Sequence, residues 1–124
     1  MKKFFLLFLC TMCCSVCFTS CFNHSTRISI NEDDDYYKFS ALYNKLQSQE
    51  IKNYINEHIA PDNLDGDYID VTTTLEDATN FYIKETPGRL KIIFNKHKNS
   101  EASYQRIKKM CAGIKNILAS KTAY

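Results

Sequence analysis

Five cysteines crowd the stretch LCTMCCSVCFTSC, Leu9 to Cys21. Cys10, Cys13, Cys14 and Cys17 include C-x2-C spacings, the pattern by which thiolates grip zinc. A sixth cysteine, Cys111, stands alone far downstream, where a thiol with a histidine partner would suit nucleophilic catalysis. The histidines are His24, His58 and His97, and none has another His, Cys or carboxylate at metal-ligand spacing. The loop Pro61-Asp-Asn-Leu-Asp-Gly-Asp67 invites a calcium reading. An EF-hand needs acidic or amide ligands at its first, third and fifth positions and glycine at its sixth. Placing Gly66 sixth puts Pro61 first and Thr72 where the closing Glu belongs, so the motif fails and an Asp/Gly turn remains.

The surroundings of the clustered cysteines decide their role. Met1-Lys2-Lys3 is a short basic start, Phe4 to Phe18 carries no charge, and the small pair Thr19-Ser20 precedes Cys21. That is a charged head, an apolar stretch and a processing site. Free cysteine behaves as a small hydrophobe, so the four upstream cysteines serve the apolar stretch without metal or disulfide chemistry. The segment resembles a bacterial lipoprotein signal peptide. The resemblance covers Met1 to Cys21. It implies removal of residues 1–20 and acylation of Cys21, palmitate included, as the new N-terminus. Phe18 departs from the aliphatic residue usual in that class. Two alternatives stand beside it: a secretory signal cut near Ser20, and an uncleaved anchor, since Phe4 to Phe22 almost spans a bilayer of about 30 Å. All three put the remainder outside the cytoplasm, because Lys2 and Lys3 prefer the inside. The lipoprotein reading places the domain in the cell envelope, held to the inner or outer membrane. Cys21 and Cys111 are then the remaining cysteines, so a hydrophobic core must hold the domain without an internal disulfide.

Residues 21–35 read as the lipidated cysteine and a flexible acidic tether, ending in Glu32-Asp-Asp-Asp35. A single small domain follows over 36–124. Phe39, Leu42, Tyr43 and Leu46 have helical spacing, and Ile51, Tyr54, Ile55 and Ile59 continue the stripe with a shifted phase. They predict one or two helices ending before Pro61. Tyr68–Thr74, Asn80–Lys84 and Leu90–Asn95 predict three strands. Pairing residue 86 with 89 across Pro87-Gly88 sets Ile83 against Ile92, so the apolar faces coincide in a hairpin. A Pro-Gly type II turn twists poorly for so tight a loop, which favours a longer one. Tyr104, Ile107, Met110, Cys111, Ile114, Ile117 and Leu118 share one side of a C-terminal amphipathic helix. The expected fold is α+β, in the order ααβββα, with helices on one face of a three-stranded antiparallel sheet.

Charge is segregated along the chain. Phe22–Asn80 holds four basic and twelve acidic residues, while Phe81–Tyr124 holds ten basic and two acidic. One reading folds the acidic half against the basic half. The other gathers Lys84, Lys91 and Lys96 with Arg106, Lys108, Lys109 and Lys115 into a basic surface for an anionic surface or an envelope protein. Nucleic acid is disfavoured by the compartment. Tyr82 opposite Ile93, and Lys84 opposite Lys91, form a second candidate surface on the open sheet face. Cys111 lies inside the apolar arc, where a buried, inert thiol is the usual outcome. No glycine-rich phosphate loop or Gly-x-Ser-x-Gly is present. The sequence therefore predicts a membrane-anchored envelope lipoprotein that binds or scaffolds rather than catalyses and uses neither cofactor nor metal. An inhibitor or immunity-type protein and a small thiol enzyme using Cys111 are the rivals.

Overall fold

A computed structural model describes residues 26–122 of the chain. Cys21 and the preceding segment, on which the signal-peptide and lipidation expectations fall, lie outside the described residues. The elements run β1 (Arg27–Glu32), β2 (Tyr36–Leu42), α1 (Ser48–Ile59), β3 (Ile69–Thr74), β4 (Asn80–Thr86), β5 (Arg89–Asn95) and α2 (Glu101–Thr122). The strands form one antiparallel sheet in the order β1-β2-β5-β4-β3. The class is α+β, but the sheet has five strands rather than three, and two helices rather than an ααβββα arrangement.

Both extra strands come from the N-terminal end. Arg27–Glu32, inside the expected tether, is an edge strand paired with β2. Tyr36–Leu42, expected to be helical, is a central strand. The reason is visible in its burial: Tyr37, Phe39, Ala41 and Tyr43 are buried at a period of two. The competing helical set would have buried Leu42 and Leu46, which are 38% and 83% exposed. The acidic run, expected to be flexible tether, makes the β1–β2 turn. The Asp33 carboxylate accepts the backbone N–H groups of Asp35 and Tyr36, each at 2.8 Å.

One sheet face supplies the core. Tyr37, Phe39 and Ala41 of β2 lie in register with Phe94, Ile92 and Leu90 of β5, and Ile83 of β4 continues the Ile92 row. The register Ile83–Ile92 and Thr86–Arg89 is the one that coinciding apolar faces predict, although the loop is only Pro87-Gly88. Ile51, Ile55 and Ile59 of α1 and Ile107, Met110, Cys111, Ile114 and Leu118 of α2 close over this face. Tyr104 packs edge-on to Tyr37 and tilted against Phe94, which sets α2 across β2 and β5.

Gly88 joins three elements. Its carbonyl accepts the Tyr43 N–H at 2.9 Å, and its own N–H donates to Ser48 Oγ at 2.8 Å. Its φ is +81°, and a Cβ there would meet the Tyr43 carbonyl oxygen at 2.9 Å, so only glycine fits.

Gly113 leaves room for the Tyr54 side chain between the helices: a methyl group at this position would collide with the Tyr54 hydroxyl of α1. Gly113→Ala is expected to destabilise the domain by about 1–3 kcal/mol through this overlap. In a Tyr54→Ala background the same change is expected to become neutral or to stabilise by up to ~1 kcal/mol, because alanine is the better helix former. Denaturant unfolding of the four variants measures the change of sign as a coupling energy.

Candidate functional site

The period-two geometry that buries one face of the sheet turns the alternate residues to the opposite, uncovered face. Register assembles these into rows. Leu42, Arg89 and Thr86 align at one end, with Arg27 beside Leu42. Ser40, Lys91, Lys84 and Asp70 form the next row, followed by Lys38, Ile93, Tyr82 and Thr72. A depression of about 320 Å3 opens on this face, lined among others by Ser40, Leu42, Tyr82, Lys84, Arg89 and Lys91.

The sequence-predicted residues separate into two groups. Tyr82, Lys84, Lys91 and Ile93 share the open face. The Tyr82 hydroxyl donates to Asp70 Oδ1 at 2.7 Å, which fixes the ring above the sheet and raises its pKa. Ile93, half-buried between Lys38 and Tyr82, supplies the apolar floor. Arg106, Lys108, Lys109 and Lys115 belong to α2, in the layer across the sheet. Arg106 Nη1 lies 2.8 Å from Asp77 Oδ2, and its Nη2 donates to the His58 carbonyl at 2.8 Å. Lys108 Nζ sits 5.4 Å from the centroid of the Tyr104 ring, while Lys109 and Lys115 are exposed. Lys96 is held by Glu32 at 2.7 Å. Sequence reasoning did not include Lys38, Ser40, Leu42 and Arg89 in the open-face site. For the first three, the alternation in YYKFSAL carried that signal, but a helical pattern overlapped it; Arg89 follows from the β4–β5 register, opposite Thr86.

All four ion pairs among the described residues join the acidic half of the chain to the basic half: Lys52–Glu85, Lys96–Glu32, His97–Asp35 and Arg106–Asp77. Glu85 is the buried one. It faces α1 from β4, 3.7 Å from Lys52, and burial raises its pKa while Lys52 acts the other way. Lys52 also donates to the Gly66 carbonyl. At Asp77, hydrogen bonding to Thr79 and the Arg106 guanidinium bring the carboxyl down to about 2.

Cys111 is wholly buried, and burial pushes its thiol up to about 12, with the nearby Tyr37 hydroxyl opposing slightly. Its role in the structure is packing. His58 Nδ1 lies 2.8 Å from the Tyr54 carbonyl, one turn back in α1, and His97 pairs with Asp35. Among the described residues, no group of His, Cys, Asp and Glu is arranged to hold a metal ion. A larger depression, of about 480 Å3, lies on the helix layer and is lined by Glu50, Asn53, Tyr54, Glu57 and Ile117, opposite in charge to the open-face site.

No protein-family model matches the chain, and neither comparison with curated proteins nor comparison with solved structures finds a match. Among the described residues, no helix is long and apolar enough to cross a membrane.

Two measurements follow from these environments. Alkylation of Cys111, followed by the mass of its peptide, is expected to be slow in the native protein and fast after denaturation, because the thiolate forms only when the core opens. Fast native labelling would place the thiol at the surface. The Asp77 carboxyl is lower in the folded protein than its ordinary 3.8, so its stabilising contribution is present above about pH 4 and is lost as pH falls through about 2. The stability difference between the wild-type chain and Asp77→Asn should therefore be widest near neutral pH and close toward pH 2. Added salt should shrink it, since the pair is solvent-exposed.

Proposed function

We propose that this protein is a membrane-anchored lipoprotein of the cell envelope that acts as a non-catalytic binding module. Its contact surface is the open face of the sheet. The observation that carries this reading is the uncovered, unpaired basic row: Lys84 and Lys91 lie side by side with Arg89 next to them, outside the ion pairs that neutralise charge elsewhere. An exposed cluster of three cations facing the single carboxylate of Asp70, floored by Tyr82, Ile93 and Leu42, suits an anionic partner that also offers some apolar surface. The N-terminal segment supports the address, through its resemblance to lipoprotein signals. The depth of Cys111 favours binding over thiol catalysis.

Two variants test the two parts separately. Cys21→Ala is expected to abolish palmitate labelling and to leave unprocessed precursor. A mature protein that begins elsewhere, or is retained on membranes without acyl label, would count against the lipoprotein assignment. Lys84→Glu with Lys91→Glu is expected to weaken salt-sensitive capture of partners from detergent-solubilised envelopes while changing the thermal midpoint little, because exposed charges contribute at most about 1 kcal/mol. The matching reversal on the helix layer, Lys108→Glu with Lys109→Glu, is expected to leave capture unchanged. The opposite pattern would move the contact surface to α2.

A further inference from the structure

Lys84 and Lys91 stand directly opposite each other on β4 and β5. Side chains at such positions begin about 5 Å apart, and like charges there repel. Arg89 adds a third cation on the same face, and Arg27 pairs across from Leu42, the partner of Arg89. Lys84, Arg89 and Lys91 all line the 320 Å3 depression. Among the described residues, none of them has a carboxylate within ion-pair distance. The open-face carboxylate in register is Asp70, across from Lys84 on β3, and it accepts the Tyr82 hydroxyl. Ser40 and Thr86 add hydroxyl groups to the lining. Three cations outside any ion pair and facing one carboxylate, with hydroxyl donors, describe a receptor for an anion with several oxygens, such as a phosphate ester.

The position of the cluster identifies the source of that phosphate. The described chain begins beside it, at Thr26 and Arg27. Six residue steps separate Cys21 from Arg27, a reach of at most about 20 Å. An acyl group on Cys21 thus keeps this end of the sheet at the bilayer surface. Leu42, 38% exposed, and the Tyr82 ring line the depression itself. Apolar side chains bordering a basic patch suit the boundary between headgroups and acyl chains. We infer that this end of the open face docks onto the phosphate-bearing headgroups of the membrane that holds the chain, with the Lys84–Arg89–Lys91 depression as the headgroup site. The inference rests on the lipoprotein reading proposed above. It leaves the helix layer, with Lys109 and Lys115, facing away from the bilayer.

The test uses the full-length chain, recovered in detergent and returned to nanodiscs of phosphatidylcholine alone or with added phosphatidylglycerol, the headgroups carrying a spin label. The intact mass of the recovered protein reports lipid on Cys21. The expected result is broadening of the NMR signals of Lys84, Arg89 and Lys91 that is stronger with phosphatidylglycerol and is screened by salt. Lys84→Glu with Lys91→Glu should weaken association with anionic discs by at least about tenfold. Lys108→Glu with Lys109→Glu should leave it unchanged. Lys84→Gln with Lys91→Gln removes the charges without adding carboxylates beside Asp70, and should show a smaller loss if the reversed pair fails to fold. Acylated protein whose sheet signals ignore headgroup charge overturns the docking and spares the anchor. Unacylated protein that still shows the anionic contact supports the docking and overturns the anchor. An equal response to free inorganic phosphate, with no preference for discs, overturns the assignment to lipid.

Discussion

Seven antiparallel pairs, from Tyr36–Asn95 to Leu42–Arg89, join β2 to β5 at the centre of the sheet. This junction unites two pieces that are each local in sequence: the β1–β2 hairpin and the β3–β4–β5 meander. Neither piece can bury its apolar side chains alone, because a two-stranded hairpin is marginal in water and the meander would expose Leu90, Ile92 and Phe94 along a free edge. Joined, Tyr37, Phe39 and Ala41 complete a continuous apolar floor on which both helices close. α1 can then run from the end of β2 to the far edge strand, and α2 can cross back over β2 and β5. The loop-closure cost of this long-range pairing is met by core burial on one face alone.

The same junction explains the charge distribution. The acidic N-terminal half and the basic C-terminal half would repel themselves if each folded apart. Pairing β2 with β5 brings Glu32 and Asp35 to Lys96 and His97, while the helices bring Lys52 to Glu85 and Arg106 to Asp77. Most of these contacts are exposed and contribute little individually. Their collective effect is to make segregation along the chain compatible with neutrality in space. The open face escapes this matching. Acidic side chains at the junction turn toward the helix side or into the turns, so among the described residues Lys84, Arg89 and Lys91 stay outside the ion pairs, with Asp70 the carboxylate in register. Fold and candidate site are in this sense two results of one pairing.

The parts of this arrangement that local pattern controls were legible in the sequence. The helical stripe of Ile107, Met110, Cys111, Ile114 and Leu118, the Ile51–Ile55–Ile59 stripe, and the β4–β5 register all follow from spacing that no other element contests. Tyr36–Leu46 was different, because Phe39 and Tyr43 satisfy periods of both two and near four. Only the partner strand β5, more than forty residues away, decides between them by burying Tyr37 and Ala41 instead of Leu42 and Leu46. β1 carries little apolar signal of its own: Ile28 is half-buried and Ile30 is 48% exposed, so its strand character comes from pairing with β2. Half of the open-face site was readable once the hairpin register was known, through Tyr82, Lys84, Lys91 and Ile93. Lys38, Ser40 and Leu42, on β2, could not be seen while that segment read as helix.

Gly88 gives the site a further property. By accepting from Tyr43 and donating to Ser48, it ties the β4–β5 loop to the end of β2 and to the first turn of α1. Thr86, Arg89 and Leu42, which frame one end of the basic depression, are therefore anchored from behind at a position where no side chain can be accommodated. For a binding partner of the proposed kind, a surface built this way would lose little backbone order on binding, so most of each attractive contact would appear as affinity. It also decouples two kinds of variation. Substitutions on the outward-facing rows can retune the charge of the face freely, while the contour beneath them stays constant.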